Sequence, residues 1–370
     1  MKLLHVSPFY EPAPGHGGMA RAAGGLCRAL ARRGHDVVVA TALLQPEDPL
    51  DERRGGVRVR RFSGPAFLRR RLVPWAPGLG RLLAPALEAV DVVHLHGHRN
   101  GLAAAAARAA SRRGVPYVWQ PHGTFPHHGQ HAWAKAAFDR IVGDRVVVGA
   151  AAALAVSDAE ARDLGGEPQV IPNGVEGLAP PHPQRPLKRP GAPLLFVGTD
   201  RPQKRGTLLP GLLGALPQAR LRLAGPYGRR FMRSFAAFGD RVSWDGVLGD
   251  AALAAAYGDA SLVVHPAVGE AFGLVPFEAA FHGTAAVVAG GHGCGEWFRG
   301  AGGCVVPPDD PVALVDAVRR RLEVPGIADA ESRAVAAFAI SALTWERAAE
   351  AVERLYLAVL DRRGRRPGAA

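Results

Sequence analysis

Short apolar runs alternate with longer stretches rich in alanine and leucine along most of the chain. Because a short apolar run bounded by turn residues is typical of a buried strand, the alternation predicts βαβ units and parallel sheets. In the first half, the predicted strands are Lys2–Val6, Asp36–Thr41, Val57–Phe62, Val92–His96, Tyr117–Gln120 and Ala153–Val156. The predicted helices of this half are Gly24–Arg33, Leu102–Arg113 and Ala134–Val148.

The alternation stops near Pro172 and starts again at Leu194. Within this gap, residues 178–193 are rich in proline and basic side chains, which is typical of a linker between domains. In the second half, the predicted strands are Leu194–Val197, Arg220–Ala224, Val242–Trp244, Leu262–His265 and Ala286–Ala289. The predicted helices are Pro311–Arg321, with Asp310 as its N-cap, Ala330–Ile340 and Trp345–Leu360.

The length of the chain sets the number of domains. A chain of 370 residues is too long for one compact core and fits two domains of ordinary size. We predict an α/β protein with two doubly wound, Rossmann-like domains, residues 1–177 and 194–346. Since such domains bind ligands beyond the carboxyl ends of their strands, an interdomain cleft would draw on motifs from both halves.

The net charge of +12 and the isoelectric point near 10.5 raise the question of a nucleic-acid partner. Lysine occurs only at Lys2, Lys135, Lys188 and Lys204, so most basic residues are arginine, beside much alanine and glycine. That bias is equally typical of a GC-rich coding sequence, and the sequence has no helix-turn-helix, finger or aromatic-interleaved basic motif. We therefore expect no nucleic-acid partner, and favour phosphate-bearing donors and an anionic membrane surface as partners for this charge.

The amino terminus and the cysteines give expectations about the compartment. Residues 1–11 predict a strand and a loop without the apolar segment of a signal peptide, and no run approaches the roughly 18 apolar residues of a membrane span. Cys27, Cys294 and Cys304 are far apart, which favours a reducing compartment and no zinc site. We expect a cytoplasmic protein. The basic and apolar segment 67–75 adds the hypothesis of peripheral contact with the inner face of the cell membrane, against the alternative of a solvated face.

The most informative stretch of the sequence, residues 265–283, contains the carboxylates Glu270 and Glu278. Glu270 is predicted in the loop after a buried strand, and residues 272–275 where the next helix begins. Free N–H groups and the helix dipole make such a turn a seat for phosphate, and carboxylates on either side can accept hydrogen bonds from sugar hydroxyls. The pattern favours a nucleotide-sugar site. The alternative is an acidic loop–helix junction in which Glu278 is a solvated helix residue.

This arrangement resembles the Glu-x7-Glu motif of the family 4 retaining glycosyltransferases of GT-B fold. The resemblance implies that Glu278 holds the ribose of the nucleotide and that Glu270 lies against the transferred sugar. It also implies retention of the anomeric configuration, and a carboxyl-terminal helix, residues 347–370, that crosses back onto the first domain. The backbone that it implies for binding sugar and diphosphate belongs to Phe272, Gly273, Leu274 and Val275.

Two segments of the first half also resemble this family. His122 follows a predicted strand in the segment Pro-His-Gly, and the resemblance implies that it contacts the transferred sugar. The alternative is that His122 only satisfies a backbone group. Gly17 and Gly18 precede a predicted helix, where glycines allow a ligand to approach closely, and we predict a diphosphate or acceptor loop there. A dinucleotide-binding loop or a plain turn would look alike.

The resemblance implies that the loop after Leu194–Val197 binds the donor diphosphate. The family has an arginine where this chain has Thr199, and Arg201 is a candidate replacement in the same loop. Lys204 keeps the spacing of the family lysine, but Arg205 directly precedes the next glycine, so either is a candidate anchor. Cations suit this place because the leaving diphosphate gains charge as the glycosidic bond breaks. The sequence has no Asp-x-Asp motif, so we expect no metal and no other cofactor.

Other polar segments are interpreted as architecture. Three histidines alternate at the end of one strand (His94, His96 and His98), where one face could reach the cleft, but a structural role is favoured. A second group of histidines is interpreted as solvated loop residues (His127, His128 and His131), and the segments 172–175 and 302–309 are interpreted as turns. Glu296 is a weaker candidate for contact with the donor.

We predict a retaining, metal-independent glycosyltransferase that moves a sugar from a nucleotide-diphosphate donor to an acceptor hydroxyl. The sequence does not identify the sugar, the base or the acceptor, which could be a lipid, a polysaccharide or a small product. One alternative is an epimerase or phosphorylase of GT-B fold. Another is a catalytically idle scaffold that binds a sugar nucleotide or an acceptor, which the replacement at Thr199 favours slightly.

Overall fold

The computed structural model describes residues 1–11, 13, 17–63, 87, 89–125, 132–175 and 191–364. The chain forms two compact units: unit 1 is Met1–Gly174 with Trp345–Ala370, and unit 2 is Val175–Thr344. Unit 1 thus ends at Gly174 and resumes at Trp345, compared with limits of 177 and 347 expected from the sequence. Residues 178–190 of the expected linker lie outside the described residues.

The strands and helices of the two units are numbered in chain order. The strands are β1 (Lys2–Ser7), β2 (Asp36–Ala42), β3 (Asp51–Arg54), β4 (Val57–Phe62), β5 (Val92–His96), β6 (Tyr117–Gln120), β7 (Ala152–Ala155), β8 (Gln169–Val170), β9 (Leu194–Val197), β10 (Leu221–Ala224), β11 (Val242–Trp244), β12 (Leu262–His265), β13 (Ala286–Ala289) and β14 (Cys304–Val306). The α-helices are α1 (Gly17–Arg32), α2 (Gly101–Arg112), α3 (Ala132–Phe138), α4 (Asp144–Val148), α5 (Asp158–Leu164), α6 (Leu209–Ala215), α7 (Arg229–Arg233), α8 (Asp250–Asp259), α9 (Leu274–Phe281), α10 (Gly293–Gly300), α11 (Pro311–Glu323), α12 (Ile327–Ala342) and α13 (Trp345–Gly364).

The sheet of unit 1 has the strand order β3-β4-β2-β1-β5-β6-β7-β8. Its strands pair in parallel, except that β3 pairs antiparallel with β4 at one edge. Apolar residues of β1 and β5 alternate between two cores. Leu3 and Val92 pack in the core that contains α1 and α13, and Leu4 and Val93 pack in the core that contains α2. Both faces of this sheet are therefore covered, as parallel sheets require.

The last helix, α13, packs on unit 1 through its first residue, Trp345. Two glycines make room for this indole: a Cβ atom at Gly25 would lie 2.1 Å from the Trp345 ring, and one at Gly174 would lie 2.6 Å from it. Further along α13, Tyr356 is completely buried in the same core. The expectation that the carboxyl-terminal helix returns to the first domain is confirmed, and the close approach depends on the absence of two side chains.

The sheet of unit 2 is entirely parallel, with the order β11-β10-β9-β12-β13-β14. In sequence order this is 3-2-1-4-5-6, the arrangement of doubly wound nucleotide-binding folds. Helices α6 and α11 cover one face with leucine and valine side chains such as Leu212, Leu213 and Leu314. Asp310 caps α11 as predicted, because its side chain accepts a hydrogen bond from the backbone N–H of Ala313 at 2.8 Å.

Several elements differ from those predicted by the sequence. Helix α1 begins at Gly17 instead of Gly24, because alanine-rich residues continue its apolar face toward the amino terminus. The segment 302–309, interpreted as a turn, contains β14, whose pairing with β13 adds an edge strand. The predicted helix 134–148 is interrupted by a π-helical turn, Asp139–Gly143, in which the Asp139 side chain is buried. The short strands β3 and β8 and helices α5, α6, α7, α8 and α10 have no counterpart in the prediction.

In the part of the chain that the structure describes, none of the helices combines the length and the apolarity needed to cross a bilayer. The segment 67–75, for which membrane contact is predicted, lies outside the described residues.

Candidate active site

The strand order turns back at one place in each unit, between β1 and β5 in unit 1 and between β9 and β12 in unit 2. In doubly wound folds, ligands bind beyond the carboxyl ends of the strands at this switch point. In unit 2, Lys204 follows β9 and Glu270 follows β12. In unit 1, His96 ends β5, and His122 follows the neighbouring strand β6. The candidates of each half therefore lie at the switch point of their own unit.

Glu270 is held between a cation and an imidazole. Nζ of Lys204 forms an ion pair with Oε1 of Glu270, and Nε2 of His265 lies 2.7 Å from Oε2. Since a carboxylate can only accept, His265 donates this hydrogen bond. Burial by itself raises the pKa of the Glu270 carboxyl, but Lys204 and His265 together hold that pKa well below its ordinary value. Glu270 is therefore an ionised acceptor in a largely buried position.

Gly273 allows the chain to turn from the Glu270 loop into α9. Its φ of 76° lies in the left-handed region, which favours glycine. A Cβ atom at Gly273 would lie 2.3 Å from Sγ of Cys294 and 2.9 Å from Oε2 of Glu270. The backbone N–H of Cys294 also donates to the carbonyl oxygen of Glu270 at 3.1 Å. Glycine at this position is thus a condition for the observed place of the Glu270 carboxylate.

A cavity of about 410 Å³ lies beside this loop in unit 2. Gly290, Gly291, His292 and Arg205 contribute to its lining. The ring nitrogens of His292 lie 2.8 Å from the carbonyl oxygen of Ala267 and 3.1 Å from that of Glu270. Burial lowers the pKa of His292, and a neutral ring has one N–H, so it donates to one of these carbonyls at a time. The ring braces the loop against the cavity wall.

The structure places the two candidate anchors, Lys204 and Arg205, in different environments. Lys204 pairs with Glu270, whereas the Arg205 guanidinium contacts the carbonyl oxygen of Pro308 and lies 3.1 Å from the carboxylate of Asp309. Arg205 also adopts a left-handed backbone with φ of 51°, which is uncommon outside glycine. Lys204 is therefore the cation next to the acidic motif, and Arg205 is a cation of the cavity wall.

Two other residues of this loop differ in exposure. Arg201 is exposed, and its guanidinium makes no hydrogen bond or ion pair with any residue that the structure describes. Oγ1 of Thr199 is buried and, among the described residues, has no hydrogen-bond partner. Thr199, where the resemblance implies an arginine in the family, thus has a hydroxyl that is unpaired among the described residues, and Arg201 is exposed in the same loop.

Glu278 and the residues before it form the first half of α9. Glu278 is only 8% exposed, which contradicts the alternative of a solvated helix residue. The hydroxyl of Tyr257 donates to Oε2 of Glu278 at 2.8 Å. Leu274 and Val275 begin the helix as predicted, and the ring of Phe272 is buried before it. The structure thus orients Glu278 through a neighbouring helix, as a buried acceptor.

His122 occupies a strained position at the end of β6. Its φ of 54° is rare for a side chain other than glycine and is typical of functional sites. Nε2 of His122 lies 2.9 Å from Nδ1 of His96. Burial, with a smaller contribution from His94, lowers the pKa of His122 to about 3. His122 is therefore a neutral imidazole, and its partner is a side chain, which contradicts the alternative that it satisfies a backbone group.

The predicted glycine loop of unit 1 is partly described. Gly17 and Gly18 lie in the first turn of α1, and a Cβ atom at Gly18 would meet no atom within 4 Å. Gly18 therefore makes no close approach to the described residues, and its role at a ligand stays a prediction. The preceding residues 14–16, and His127, His128 and His131, lie outside the described residues.

Sequence reasoning missed several partners of these residues. His265 is the last residue of β12, a position that faces a switch point, and this signal was available. His5 on β1 and His94 on β5 are paired in register, so their neighbourhood also follows from the topology. Tyr356 lies 262 residues from His94 in the chain, and no local pattern connects them.

The switch point of unit 2 contains one group with the chemistry of metal ligands. His265, Glu270 and Cys294 place one ligand atom each within 4.8 Å of one another. Burial raises the pKa of the Cys294 thiol well above its ordinary value, which disfavours the thiolate that a metal needs. Lys204 already neutralises Glu270. These residues favour an anion-binding site with a hydroxyl acceptor over a metal centre.

Comparison with protein families assigns both halves of the chain. Residues 17–174 match the family described as glycosyl transferase 4-like domain, and residues 193–323 match the family described as glycosyl transferases group 1. A D-inositol 3-phosphate glycosyltransferase from Nocardioides sp. is 32% identical, over 86% of this chain and 81% of that protein. A glycogen synthase from Mycobacterium tuberculosis is 31% identical, over 99% of this chain and 96% of that protein.

Solved structures share the fold at lower identity. The sucrose-phosphate synthase from Thermosynechococcus elongatus has a TM-score of 0.77 and 21% identity, and the match covers 98% of this chain and 99% of that one. The Anabaena protein HepE, in complex with UDP-glucose, has a TM-score of 0.73 and 17% identity, with coverage of 97% and 100%. The expectation of two Rossmann-like domains of the GT-B type is confirmed.

Proposed function

The chain belongs to the group 1 glycosyltransferases of GT-B fold, and from this premise we propose that it transfers a sugar from a nucleotide-diphosphate donor to an acceptor hydroxyl, with retention and without a metal ion. Glycosyl transfer itself follows from the family. The donor class, the stereochemistry, the independence from metal and the residue roles are our proposals.

The Lys204–Glu270 pair at the switch point of unit 2, beside the cavity lined by Gly290 and Gly291, is the observation that supports this function. The pair offers an ammonium for an anionic group and a carboxylate for sugar hydroxyls. Two adjacent glycines expose backbone to a ligand without a side chain in the way. Nucleotide sugars present these same features, an anionic diphosphate between two hydroxyl-bearing rings.

Each candidate residue has a role in this proposal. Lys204 and the exposed Arg201 stabilise the diphosphate, whose negative charge grows as its bond to the anomeric carbon breaks. Arg205 and the backbone of residues 272–275 bind the donor before the reaction, and Glu278 accepts from the ribose. Glu270 and His122 each accept a hydrogen bond from the transferred sugar. Since side-chain cations neutralise the leaving group, no divalent ion is required.

The first experiment is a thermal-shift and calorimetric screen of UDP, GDP and ADP and their glucose and mannose derivatives. Because the relatives include an inositol-phosphate and a glucan enzyme, inositol 3-phosphate and an oligoglucan are the first acceptors to try. Proton NMR of the product gives the anomeric configuration. We expect the configuration of the donor to be retained, and the rate to be unchanged by EDTA. An inverted product, or a rate that EDTA abolishes, would contradict the proposal.

A catalytically idle scaffold is the second candidate. The observation that favours it is Thr199, at the proposed position of the family arginine, whose buried hydroxyl has no partner among the described residues. The same screen separates the two functions. A scaffold binds a sugar nucleotide without consuming it, a transferase converts it only with acceptor, and an epimerase converts it without acceptor. The variant Thr199→Arg would raise the rate if the missing cation limits transfer.

Peripheral membrane contact is a further part of the proposal. Exposed apolar side chains in the described residues 132–148 support it: Trp133, Ile141 and Val148 are 78%, 66% and 85% exposed. The exposed Arg140 and Arg145 lie in the same segment, and basic residues beside apolar ones are typical of contact with anionic lipid. Co-sedimentation with vesicles containing phosphatidylglycerol at low salt tests it. Equal binding by the parent and by Trp133→Ser/Ile141→Ser would refute it.

A further inference from the structure

His122 lies at one end of a continuous chain of polar side chains inside unit 1. The chain passes through β6, β5, α13 and β1, and its members are at most partly exposed at the His122 end and otherwise buried. In order, they are Gln120, His94, Tyr356, His5, His96 and His122.

Each link of this chain is a hydrogen bond between two named atoms. Oε1 of Gln120 lies 3.1 Å from Nε2 of His94, and Nδ1 of His94 lies 2.6 Å from the hydroxyl of Tyr356. That hydroxyl lies 3.4 Å from Nε2 of His5.

The second half of the chain connects His5 to the candidate residue. Nδ1 of His5 lies 3.0 Å from Nε2 of His96, and Nδ1 of His96 lies 2.9 Å from Nε2 of His122. No hydrogen bond to Nδ1 of His122 is made by any other residue within the described ranges. Among the described residues, Nδ1 of His122 is therefore the unpaired ring nitrogen at this end of the hydrogen-bonded side chains, where a ligand can bind.

All four imidazoles are neutral near pH 7. Burial lowers the pKa of His94 to about 3, and it lowers those of His5 and His96 well below the ordinary value. The pKa of His122 is lowered to about 3 for the same reason. A neutral imidazole donates from one ring nitrogen and accepts at the other, so the direction of one hydrogen bond determines the next.

The direction of the whole chain follows from its first link. An amide oxygen can only accept, so His94 donates from Nε2 and accepts at Nδ1, and Tyr356 is its donor. The Tyr356 oxygen then accepts from Nε2 of His5, whose Nδ1 is left as an acceptor.

The same reasoning extends to the site. His96 donates from Nε2 to His5 and accepts at Nδ1, and the donor to that nitrogen is Nε2–H of His122. The proton of His122 is thereby assigned to Nε2, and Nδ1 retains its lone pair.

We propose that Gln120 and Tyr356 are positioning residues that fix the tautomer of His122, so that Nδ1 of His122 always accepts a hydrogen bond from a substrate hydroxyl. The part that concerns the hydroxyl rests on the proposed transfer of a sugar. The tautomer itself depends only on the contacts within unit 1. The carboxyl-terminal helix thus contributes to the site through one buried phenol.

A metal site is the other function that these histidines suggest. His5, His94 and His96 place ligand atoms within 4.8 Å of one another. However, their ring nitrogens already form the hydrogen bonds of the chain, and the rings of His94 and His96 are stacked 4.4 Å apart with 7° between their planes. Since a lone pair lies in the plane of its ring, stacked rings do not direct their lone pairs to one ion. The geometry favours a hydrogen-bonded chain.

The test is nitrogen NMR of the full-length protein labelled with ¹⁵N-histidine, in which His122 is assigned by comparison with His122→Asn. We expect Nε2 of His122 to give the signal of a protonated imidazole nitrogen and Nδ1 that of an unprotonated one. An amide nitrogen of Gln120 facing His94 would reverse every donor and place the proton on Nδ1. That opposite tautomer, or a mixture of both, overturns the proposal.

The role of Tyr356 is tested by Tyr356→Phe, with Tyr10→Phe as the matched control. Both hydroxyls lie in the same core, but that of Tyr10 is buried and has no partner among the described residues. We expect Tyr356→Phe to give a mixture of tautomers at His122, and Tyr10→Phe to leave a single one. A single, unchanged tautomer in folded Tyr356→Phe excludes Tyr356 as a positioning residue. If that variant does not fold, the parent spectrum still decides the tautomer.

Transfer assays separate this inference from the proposed function. If the protein has the Nε2–H tautomer but converts no sugar nucleotide, the inferred direction of the hydrogen bonds is supported and the transferase role of the site is refuted. If the protein transfers sugar but has the Nδ1–H tautomer, the transferase role is supported and the inferred direction is refuted. In an active protein, we expect Tyr356→Phe to raise KM several-fold with a similar loss in kcat, because a fraction of the molecules offers a donor where the substrate needs an acceptor.

Discussion

At the switch point of unit 1, the polar side chains are neutral imidazoles joined by hydrogen bonds, whereas at that of unit 2 they are an ionised carboxylate and an ammonium. The two sheets have the same central strand order, and His96, His122 and Glu270 lie at or just beyond the carboxyl ends of parallel strands. Topology therefore fixes where polar chemistry collects, but it does not fix the charge. The residues that follow each strand determine whether a buried polar side chain is paired by a hydrogen bond between neutral groups or by an ion pair.

The hydrogen-bonded imidazoles of unit 1 and the ion pair of unit 2 differ in the energies that stabilise them. Each hydrogen bond of the neutral chain contributes about 0.5–1.5 kcal/mol and is weakened little by salt. The ion pair needs both partners, because removal of one leaves a buried charge, at a cost of about 3–5 kcal/mol when burial is complete. Unit 1 should therefore be sensitive to protons, and unit 2 to the loss of a single cation.

The largest expected effect is a difference between the two units in how their stability depends on pH. The folded pKa values of His94 and His122, about 3, lie below the ordinary value of 6.5, so the unfolded state takes up protons first as the pH falls. Their contribution to stability is complete above about pH 6.5 and is lost as the pH falls toward 3, by about 1.4 kcal/mol per pH unit for each group. Between pH 7 and pH 5, unit 1 should lose on the order of 4 kcal/mol from these two residues.

Unit 2 is the internal control for this prediction. Glu270 has a lowered pKa, so its contribution is lost only below the ordinary value of 4.5, although burial also lowers the pKa of His292 in this unit. Hydrogen exchange with mass spectrometry, corrected for the intrinsic rates, measures the peptides of each unit separately. Equal losses of protection in both units between pH 7 and pH 5 would contradict the comparison.

The second effect concerns the ion pair. Lys204→Ala removes the cation next to Glu270 and should lower kcat about 100- to 1,000-fold, because the charge it meets develops in the transition state. The measurement is steady-state transfer with the best nucleotide sugar of the screen. Lys2→Ala, an exposed lysine of unit 1, is the control and should be unaffected. Turnover equal to the parent would remove Lys204 from the mechanism.

The third effect tests whether Glu278 of unit 2 binds the nucleotide of the donor. Glu278→Ala should weaken nucleotide binding about ten- to a hundred-fold, the loss of a charge-assisted hydrogen bond of about 1.5–3 kcal/mol. Calorimetry with the nucleotide measures it, and Glu323→Ala, on the exposed end of α11, is the control. Donor affinity that does not change would leave Glu278 as a structural partner of Tyr257 only.

The smallest effect isolates the close approach at Gly273. Gly273 and Gly269 have φ values of 76° and 70°, but a Cβ atom meets Cys294 and Glu270 at Gly273 and no atom within 4 Å at Gly269. Gly269→Ala should cost about 1–2 kcal/mol of unfolding free energy from backbone strain alone. Gly273→Ala should cost more and should also reduce transfer. Equal destabilisation in urea unfolding would mean that the contact with Glu270 relaxes freely.

The sequence predicts most of this architecture because the buried strands are short apolar runs that can be recognised locally. Runs such as Leu262–His265, which is apolar up to its final histidine, coincide with the observed strands to the residue. Short helices such as α7 and α10 escape prediction because their few turns are stabilised by tertiary packing and carry little periodicity. The acidic motif and Lys204 were identifiable because their spacing is local. The tie between Lys204 and Glu270 spans 66 residues, so only the folded sheet reveals it.

The return of the chain to unit 1 at Trp345 also has a consequence for biosynthesis. Unit 2 is complete once residue 344 has left the ribosome, but unit 1 still lacks the helix that covers Leu3 and Val92. The half of the protein that is made first must therefore wait, with an apolar sheet face uncovered, until the residues of α13 have been synthesised. A premature stop codon before Tyr356 would spare a folded unit 2 and leave a nascent unit 1 for chaperones and proteases.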